Sequence, residues 1–406
     1  MTWAGRSVQA AETDRENGLA VLKRYVQFFV MSWLPAYDGR AGRFSLQRLL
    51  VMALFWPLFL LVQAINGLGL LLDYLLFPDF RRVKVREPLF VVGVPRSGTT
   101  FLHRLLAMDE RFTTTALWEL LFAPSISQRY FWSVIARLDG LMGRPAGRLL
   151  LWAERRLLGG LDGVHKTGLL DPEEDYLALI PVWGCFLLVL AVPVPSLWRL
   201  TYLDRDGTDK EKQRLVTAYR RFVQRHLYFH GSHKQLLSKN PSFTPWMATL
   251  ADAFPDARFI GCVRNPSAAV PSQINSILIG ARLFDGRDTT AYWRLGFMAM
   301  LDYYYRHVLE VLESLPPERQ ALSVMEQLAP APAQTVLAFY QGFGWQPDDT
   351  FRQRLEAQER KAKQYRSGHH YNPDELGVSP YELADVFGWV YERFGYPLPN
   401  IDSKPL

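Results

Sequence analysis

A glycine-rich loop, Gly93–Thr100, carries the residue types that bind phosphate. Gly93 and Gly98 permit a loop that wraps an anion with backbone N–H groups, and a helix after the loop would add its dipole. The spacing follows the P-loop pattern G-x-x-x-x-G-K-[ST], but Thr99 replaces the lysine and Arg96 places the positive charge inside the loop. NTPases and kinases need that lysine on a triphosphate. The loop therefore predicts a different anion, and the alternative is a strand-turn-helix corner that uses glycine and proline for geometry alone.

A second candidate anion site is the segment Val263–Ser272, in which Arg264 ends an apolar run and Ser272 follows eight residues later. An arginine and a hydroxyl at the carboxyl end of a parallel sheet suit a second phosphate of the same nucleotide. Taken alone, Arg264 is better explained as the partner of a surface carboxylate. The strands predicted before this position do not end in an acidic residue, so a magnesium-binding carboxylate is not evident.

Short apolar runs that alternate with helical patterns must position these residues. The strands are predicted at 89–94, 236–239, 257–263 and 321–325, and helices at 244–254, 267–278, 291–315, 333–343, 349–366 and 381–394. Strands that alternate with helices predict an α/β fold with a parallel sheet flanked by helices.

With these motifs in place, the sequence resembles the sulfotransferases that use 3′-phosphoadenosine 5′-phosphosulfate (PAPS). PRSGTTFLHRLL looks like their 5′-phosphosulfate loop and VRNPSAAVPS like their 3′-phosphate motif. The similarity to bacterial-type members extends from about Leu89 to Gly344 and includes Trp118-Glu119, the Pro172–Asp175 cluster and FPDARF. It implies a P-loop-NTPase-like fold, PAPS as co-substrate and transfer of a sulfuryl group to a hydroxyl or amine.

The resemblance also implies roles for individual residues. The 5′-phosphosulfate would be held by Arg96, Ser97, Gly98, Thr99 and Thr100, the 3′-phosphate by Arg264 and Ser272, and Lys239 would lie near the transferring group. Two features depart from the cytosolic small-molecule enzymes. Pro241 stands where those enzymes carry a catalytic histidine, and their C-terminal glycine-rich motif is not recognisable, so 368–371 is the candidate lid.

Sulfuryl transfer needs a base for the acceptor, an in-line geometry and positive charge at the leaving oxygen. Arg96 and Lys239 can supply that charge, so we expect no metal. Glu119 is the first candidate base, because tyrosylprotein-type sulfotransferases use a glutamate in the comparable stretch. A carboxylate at a helix N-terminus is an equal alternative for it. His165 is the second candidate and His103 the third, whereas the acidic residues at 173–175 are expected at a solvated helix start.

A charge-free run of 24 residues, Leu49–Leu72, precedes the first strand. Its length suits a membrane span, a helix or hairpin in one leaflet, or a buried core helix. Basic residues flank both ends, so the charge distribution gives no orientation. We therefore predict a membrane-associating helical region at 1–86 and a sulfotransferase domain at 87–406. A second charge-free stretch, Leu177–Trp198, is interrupted by prolines and is expected to form a wall of the acceptor pocket.

Composition limits the remaining possibilities. The net charge is +6 without a long basic run, which argues against nucleic acid as a partner. Cys185 and Cys262 lie in apolar runs and do not form a cysteine zinc motif, and a secretory signal is not evident. The resemblance implies a cytosolic supply of PAPS, so we expect a membrane-associated enzyme whose catalytic domain faces the cytosol and whose acceptor is a hydrophobic small molecule or lipid. A nucleotide kinase or NTPase, and an inactive membrane-bound nucleotide-binding protein, are the alternatives.

Overall fold

The computed structural model of the chain describes residues 21–33, 45–158, 168–362 and 376–400. The strands are β1 (Leu89–Gly93), β2 (Phe112–Thr113), β3 (Gln235–Lys239), β4 (Arg258–Val263) and β5 (Gln320–Val324). The α-helices are α1 (21–33), α2 (Leu46–Leu76), α3 (Thr99–Leu106), α4 (Leu117–Phe122), α5 (Ile126–Leu141), α6 (Pro145–Leu158), α7 (Pro195–Trp198), α8 (Leu203–Asp206), α9 (Asp209–His230), α10 (Met247–Ala253), α11 (Pro266–Phe284), α12 (Thr290–Ser314), α13 (Met325–Leu328), α14 (Pro332–Gly342), α15 (Asp349–Ala362) and α16 (Pro380–Phe394). Short 3₁₀ helices cover Pro78–Arg82, Asp175–Val182, Phe186–Leu190, Arg199–Tyr202, Pro241–Trp246 and Pro317–Arg319.

The five strands form one parallel sheet in the order β2-β3-β1-β4-β5. β1 lies between β3 and β4, with Val91 beside Lys239 and Gly93 beside Cys262. β2 and β3 lie on one side of β1, and β4 and β5 lie on the other. The loop after β1 therefore opens at a topological switch point, where α/β sheets bind ligands. The α/β fold predicted from the sequence is confirmed.

Alternate side chains of β1 enter two separate apolar layers. Phe90 and Val92 belong to a large cluster that contains residues of α1, α2, α9, α11, α12 and α16. Leu89 and Val91 belong to a second cluster with residues of α3, α14 and α15. All five β1 residues are buried, as expected for a central strand with helices on both faces.

Most predicted elements are present within about two residues of their predicted ends. The pattern did not reveal β2, whose two residues pair with β3, or the long helix α9. The 177–198 stretch folds as short 3₁₀ and α turns around its prolines rather than as one helix. Its residues Phe186, Leu187 and Leu190 line the cavity described below, as predicted for a pocket wall.

The apolar run 49–72 lies inside α2, a helix of 31 residues. Within the residues that the structure describes, α2 is the one helix long and apolar enough to cross a membrane by length and composition. Only 17% of its most apolar segment is buried in the protein. The core-helix alternative is therefore wrong.

Candidate functional site

The loop between β1 and α3 has the conformation that an anion-binding loop requires. Gly98 has a φ of 85° and a Cβ there would lie 2.4 Å from Met325 Sδ, so the position admits only glycine without strain. Arg96 has a φ of 66°, a left-handed conformation that costs free energy in a non-glycine residue and is found preferentially at functional sites. The buried Ser97 hydroxyl donates to Val94 O at 2.5 Å and holds the turn.

The two predicted anion motifs meet in space. Arg96 Nε donates to Ser272 Oγ at 2.9 Å, although the residues are 176 positions apart. Arg264 Nη1 donates to the Arg96 carbonyl at 3.1 Å. The structure thus brings Arg96, Arg264 and Ser272 together at the carboxyl end of β1 and β4, where α11 begins after β4.

A cavity of about 500 Å³ opens beside this loop. Its polar part is lined by Arg96, Gly98, Thr99, Thr100, Arg104 and Arg264, and its apolar part by Tyr176, Phe186, Leu187, Leu190, Ile277, Phe297, Met300 and Tyr304. Among the described residues that line it, Glu174 is the one acidic side chain. Three arginines against one carboxylate give the polar end a positive potential, which suits an anionic ligand. The other end suits an apolar group.

Lys239 does not line the cavity and is connected to it only by an ion pair with Glu174. Its side chain is 2% exposed at the end of β3, and Nζ lies 3.0 Å from Glu174 Oε1 and 3.8 Å from Glu173 Oε1. Glu174 lines the cavity, whereas Lys239 and Glu173 do not. Burial raises the pKa of Glu173 despite the opposing charge of Lys239.

Asp175 fastens this acidic segment to the sheet. Its carboxylate accepts hydrogen bonds from Tyr219 at 2.5 Å, Ser238 at 2.8 Å and Asn240 at 3.3 Å. Ser238 and Asn240 flank Lys239, so the network fixes both partners of the Glu174–Lys239 pair. Burial raises the pKa of Asp175 to about 6, against the three hydrogen bonds that lower it. Residues 173–175 do lie at the start of a short 3₁₀ helix, but the expectation that they are solvated is wrong.

Glu119, the first candidate base, does not line the cavity. Its buried carboxylate accepts from the Ala116 N–H at 3.0 Å, at the start of α4, and lies 2.6 Å from His230 Nε2. This is the alternative considered from the sequence, a carboxylate at a helix N-terminus. Burial alone would raise the pKa of Glu119, but Arg129 and the two nearby histidines hold it well below its usual range.

Glu119, His226 and His230 offer three ligand atoms that lie within 4.8 Å of one another. Arg129 occupies this cluster, with Nε 3.6 Å from Glu119 Oε1 and Nη1 3.3 Å from His226 Nδ1. Burial, together with Arg129, lowers the pKa of His226 well below its usual value, so the ring is neutral. The guanidinium already balances the carboxylate charge, and the cluster is explained without a metal.

His103, the third candidate base, does not line the cavity. His103 is fully buried on α3 with Nε2 2.8 Å from Thr114 Oγ1, and burial together with Lys239 lowers its pKa to about 3. His165 and the proposed lid at 368–371 lie outside the described residues. Sequence reasoning therefore missed Glu174 as the cavity carboxylate; the available signal was the acidic Pro172–Asp175 cluster noted in the resemblance.

Comparisons with known proteins agree with this geometry. A family model described as the sulfotransferase family matches residues 88–349. The omega-hydroxy-beta-dihydromenaquinone-9 sulfotransferases Stf3 of Mycobacterium bovis and Mycobacterium tuberculosis are each 28% identical to the chain over 327 residues, which cover 76% of this chain and 75% of theirs.

Two solved structures share the fold. Sulfotransferase STF1 of Mycobacterium tuberculosis superposes with a TM-score of 0.66 and 20% identity, covering 90% of this chain and 92% of its own. Sulfotransferase STF9 of Mycobacterium avium gives a TM-score of 0.64 and 20% identity, covering 82% of each chain. At this identity the similarity establishes the fold alone.

Proposed function

The chain belongs to the sulfotransferase family, and we propose that its cavity binds PAPS beside the β1–α3 loop and transfers the sulfuryl group to the hydroxyl of a lipid-like acceptor. The observation that carries this proposal is the cavity itself, in which a cationic end formed by two sequence-distant motifs meets an apolar end. PAPS carries two separate anionic groups, which match two separate arginine-containing motifs.

The donor is assigned to the polar end. Backbone N–H groups of the loop at 96–100 and the N-terminus of α3 hold the 5′-phosphosulfate, with the Arg96 guanidinium beside it. Arg264 and Ser272 hold the 3′-phosphate. The contact between Arg96 and Ser272 supports this assignment, because it brings the two phosphate sites within the dimensions of one nucleotide.

The acceptor is assigned to the apolar end. Phe186, Leu190 and Phe297 line this wall, and such side chains recognise an apolar chain by excluding water rather than by hydrogen bonds. The Stf3 relatives are sulfotransferases of a hydroxylated menaquinone derivative, which agrees with a hydroxylated lipid as the acceptor class here.

Glu174 is the proposed general base, in place of Glu119. Its carboxylate takes the acceptor proton while the acceptor oxygen bonds to sulfur, and the bond from sulfur to the bridging phosphate oxygen breaks. Adenosine 3′,5′-bisphosphate leaves with the bonding electrons, and Arg96 neutralises the charge on its leaving oxygen. Lys239 holds Glu174 in place through the 3.0 Å ion pair. No step in this scheme calls for a metal ion.

Attachment to membranes is a second proposal, separate from the reaction. The helical region 1–86 would bind the membrane and the domain at 87–406 would carry out transfer on the cytosolic side, where PAPS is supplied. The start of the family match at residue 88 and the exposed apolar helix α2 support this division.

Ligand-dependent thermal stability tests the donor assignment. Adenosine 3′,5′-bisphosphate should raise Tm strongly, AMP weakly and ATP with magnesium little, because only the bisphosphate fills both sites. The Arg264→Ala variant should lose the difference between bisphosphate and AMP, whereas Arg352→Ala, an exposed position on α15, should keep it. Equal stabilisation by AMP and the bisphosphate in the native protein would exclude the 3′-phosphate site, and a preference for ATP with magnesium would favour the NTPase alternative.

A transfer assay tests the reaction. With labelled PAPS, a long-chain primary alcohol in vesicles should be sulfated faster than a short-chain alcohol at equal concentration. Bisphosphate binding without transfer to any alcohol tested would favour the inactive binding protein instead.

A further inference from the structure

Helix α2 presents two different faces along its whole length. One narrow stripe is buried against the protein and consists of Arg48, Met52, Trp56, Asn66, Gly69 and Asp73. The remaining surface is exposed and almost entirely apolar: Leu46, Leu50, Leu54, Leu58, Leu60, Leu61, Ile65, Leu68, Leu71, Leu72, Leu75 and Leu76. A monomeric soluble protein rarely exposes a continuous apolar surface of this extent.

Polar contacts fasten the buried stripe near both ends of the helix. At the N-terminal end, Gln47 donates to the Arg282 carbonyl at 2.8 Å, and Arg48 donates to the Ala191 carbonyl at 3.0 Å. At the C-terminal end, the Asp73 carboxylate accepts from the Ile126 N–H at 2.9 Å and from Arg225 Nε at 2.9 Å. Both end groups are fixed by elements of the catalytic domain.

The middle of α2 is fastened in the same way. Trp56 donates to Ser32 Oγ at 2.8 Å. Asn66 donates to the Leu121 carbonyl at 3.0 Å and accepts from Gln128 at 2.8 Å. The helix therefore lies along the surface of the domain from its first turn to its last.

This attachment decides how α2 can meet a bilayer. A helix of 31 residues is about 46 Å long, which exceeds a hydrocarbon core of about 30 Å. If α2 crossed the bilayer, the Asp73–Arg225 ion pair and the backbone groups bonded to its stripe would enter the hydrocarbon or be torn from their partners. Both are costly for polar groups. A helix that lies parallel to the membrane plane avoids this cost.

Neighbouring helices expose further apolar side chains together with basic ones. Helix α5 packs against the C-terminal half of α2, and α6 packs against α5. These two helices expose Tyr130, Phe131, Trp132, Val134, Leu138, Leu141, Leu149, Leu150, Leu151 and Trp152. Exposed basic residues accompany them: Arg81, Arg82, Lys84, Arg86, Arg137, Arg144, Arg148 and Arg156. Aromatic side chains and arginines of this kind favour the interface of an anionic bilayer.

The acceptor end of the cavity adjoins this face. Ile277 on α11 lines the cavity, and Leu283 near the end of the same helix is 63% exposed. Phe284, which ends α11, packs edge-on against Phe55 of α2 with ring centroids 5.7 Å apart. Leu187 both lines the cavity and is partly exposed. Apolar side chains of α11 thus connect the cavity wall with α2.

From these contacts we propose that the exposed face of α2, with those of α5 and α6, docks in one leaflet of an anionic bilayer, so that the protein is held by an in-plane helix and takes its acceptor from that leaflet. The delivery of the acceptor rests on the function proposed above. The docking itself does not, since it follows from the packing of α2.

Depth-dependent fluorescence tests the orientation. Cys185 and Cys262 are fully buried, so single cysteines introduced at Leu50, Leu61 and Leu72 can be labelled selectively with an environment-sensitive dye. When vesicles of phosphatidylcholine and phosphatidylglycerol are added to the full chain, all three labels should shift to the blue. Lipids that carry a quencher group at a shallow depth should quench the fluorescence of all three labels equally. A label at Gln353 on α15, which packs on the other face of the sheet, is the control and should not respond.

Two results would overturn the proposal. A deep label at Leu61 with shallow labels at Leu50 and Leu72 on opposite sides would show a spanning helix. A stable detergent-free dimer in light scattering, with the labels blue-shifted before any lipid is added, would show that a second copy covers the face.

A triple variant separates docking from chemistry. Leu54→Glu, Leu61→Glu and Leu68→Glu change only exposed side chains, and the matched control replaces the same residues by methionine. The glutamate variant should lose vesicle partitioning by more than about 100-fold, because apolar burial is replaced by charge. It should also lose transfer to an alcohol in vesicles but keep transfer to a soluble short-chain alcohol. Unchanged partitioning would refute docking, whereas absence of transfer in every variant and in the native protein would refute the proposed function and leave docking intact.

Discussion

Replacing Glu174 by glutamine tests the assignment of the general base. The substitution keeps the size of the side chain and removes its ability to accept a proton. We expect kcat to fall by roughly 10²–10⁴, the usual contribution of a positioned base, which is about 2.7–5.5 kcal/mol in the barrier. The affinity for adenosine 3′,5′-bisphosphate should change little, since the proposed donor site lies on the arginine side of the cavity.

The structure supplies a control that isolates the cavity position. Glu173 and Glu174 lie 3.8 Å and 3.0 Å from the same Lys239 Nζ. Because the Coulomb attraction varies inversely with distance, the two carboxylates attract Lys239 with strengths that differ by only about a quarter. Glu173→Gln therefore perturbs Lys239 almost as much as Glu174→Gln does, but it removes a carboxylate that does not line the cavity.

Single-turnover sulfuryl transfer from labelled PAPS, with the bisphosphate affinity measured by calorimetry, separates these outcomes. Glu173→Gln should retain at least about a tenth of the native rate, because it keeps the base. If the two variants lose activity equally, the pair acts only through Lys239 and Glu174 is not the base. If Glu174→Gln remains near native while Glu119→Gln is inactive, the base is Glu119 as first predicted from the sequence.

Three further perturbations have definite expected outcomes. Arg264→Ala should weaken the binding of adenosine 3′,5′-bisphosphate by about 2–5 kcal/mol in calorimetry and leave the binding of AMP nearly unchanged, since one partner of a buried charge contact is lost. Transfer should survive EDTA, because arginines line the donor end of the cavity; loss of activity that magnesium restores would overturn the metal-free scheme. Asp175 has its pKa raised to about 6, so the folded state holds its proton more tightly than the unfolded chain, and the contribution of this group to stability falls as pH rises from about 4 to 6. Urea unfolding should therefore show Asp175→Asn gaining on the order of 2 kcal/mol relative to the native protein between pH 4 and pH 7, and a constant difference would refute the shift.

The sequence could predict the parts of the site that are local in the chain. The loop at 93–100 and the Arg264–Ser272 segment each combine a strand end, a turn and a helix start within a dozen residues. Residue types and spacing were therefore sufficient to predict both as anion-binding motifs. Their meeting through the Arg96–Ser272 hydrogen bond followed from the parallel sheet, which places the carboxyl ends of β1 and β4 at one edge.

The base could not be chosen from the sequence because the partners of each carboxylate are distant in the chain. Glu119 contacts His230, 111 positions away, and this contact together with Arg129 holds its carboxylate in a buried cluster that does not line the cavity. Glu174 contacts Lys239 across 65 positions. Both glutamates begin short helical segments and looked alike locally. Only the packing of α9 and β3 separates them.

Helix α11 connects the proposed membrane-docking face to the proposed donor site. Ser272 in its second turn contacts Arg96, and Ile277 farther along the helix lines the cavity. Its last residue, Phe284, rests on Phe55 of α2. Ser272 and Phe284 are 12 residues apart on this helix, about 18 Å along its axis, so α11 sets the distance between the α2 face and the proposed donor site. If α2 docks as proposed, an acceptor that enters along α11 from the leaflet would meet the sulfuryl group with its polar end leading and its apolar chain still among Phe186, Leu190 and the membrane. We therefore expect the enzyme to prefer hydroxylated lipids over soluble alcohols of the same reactivity.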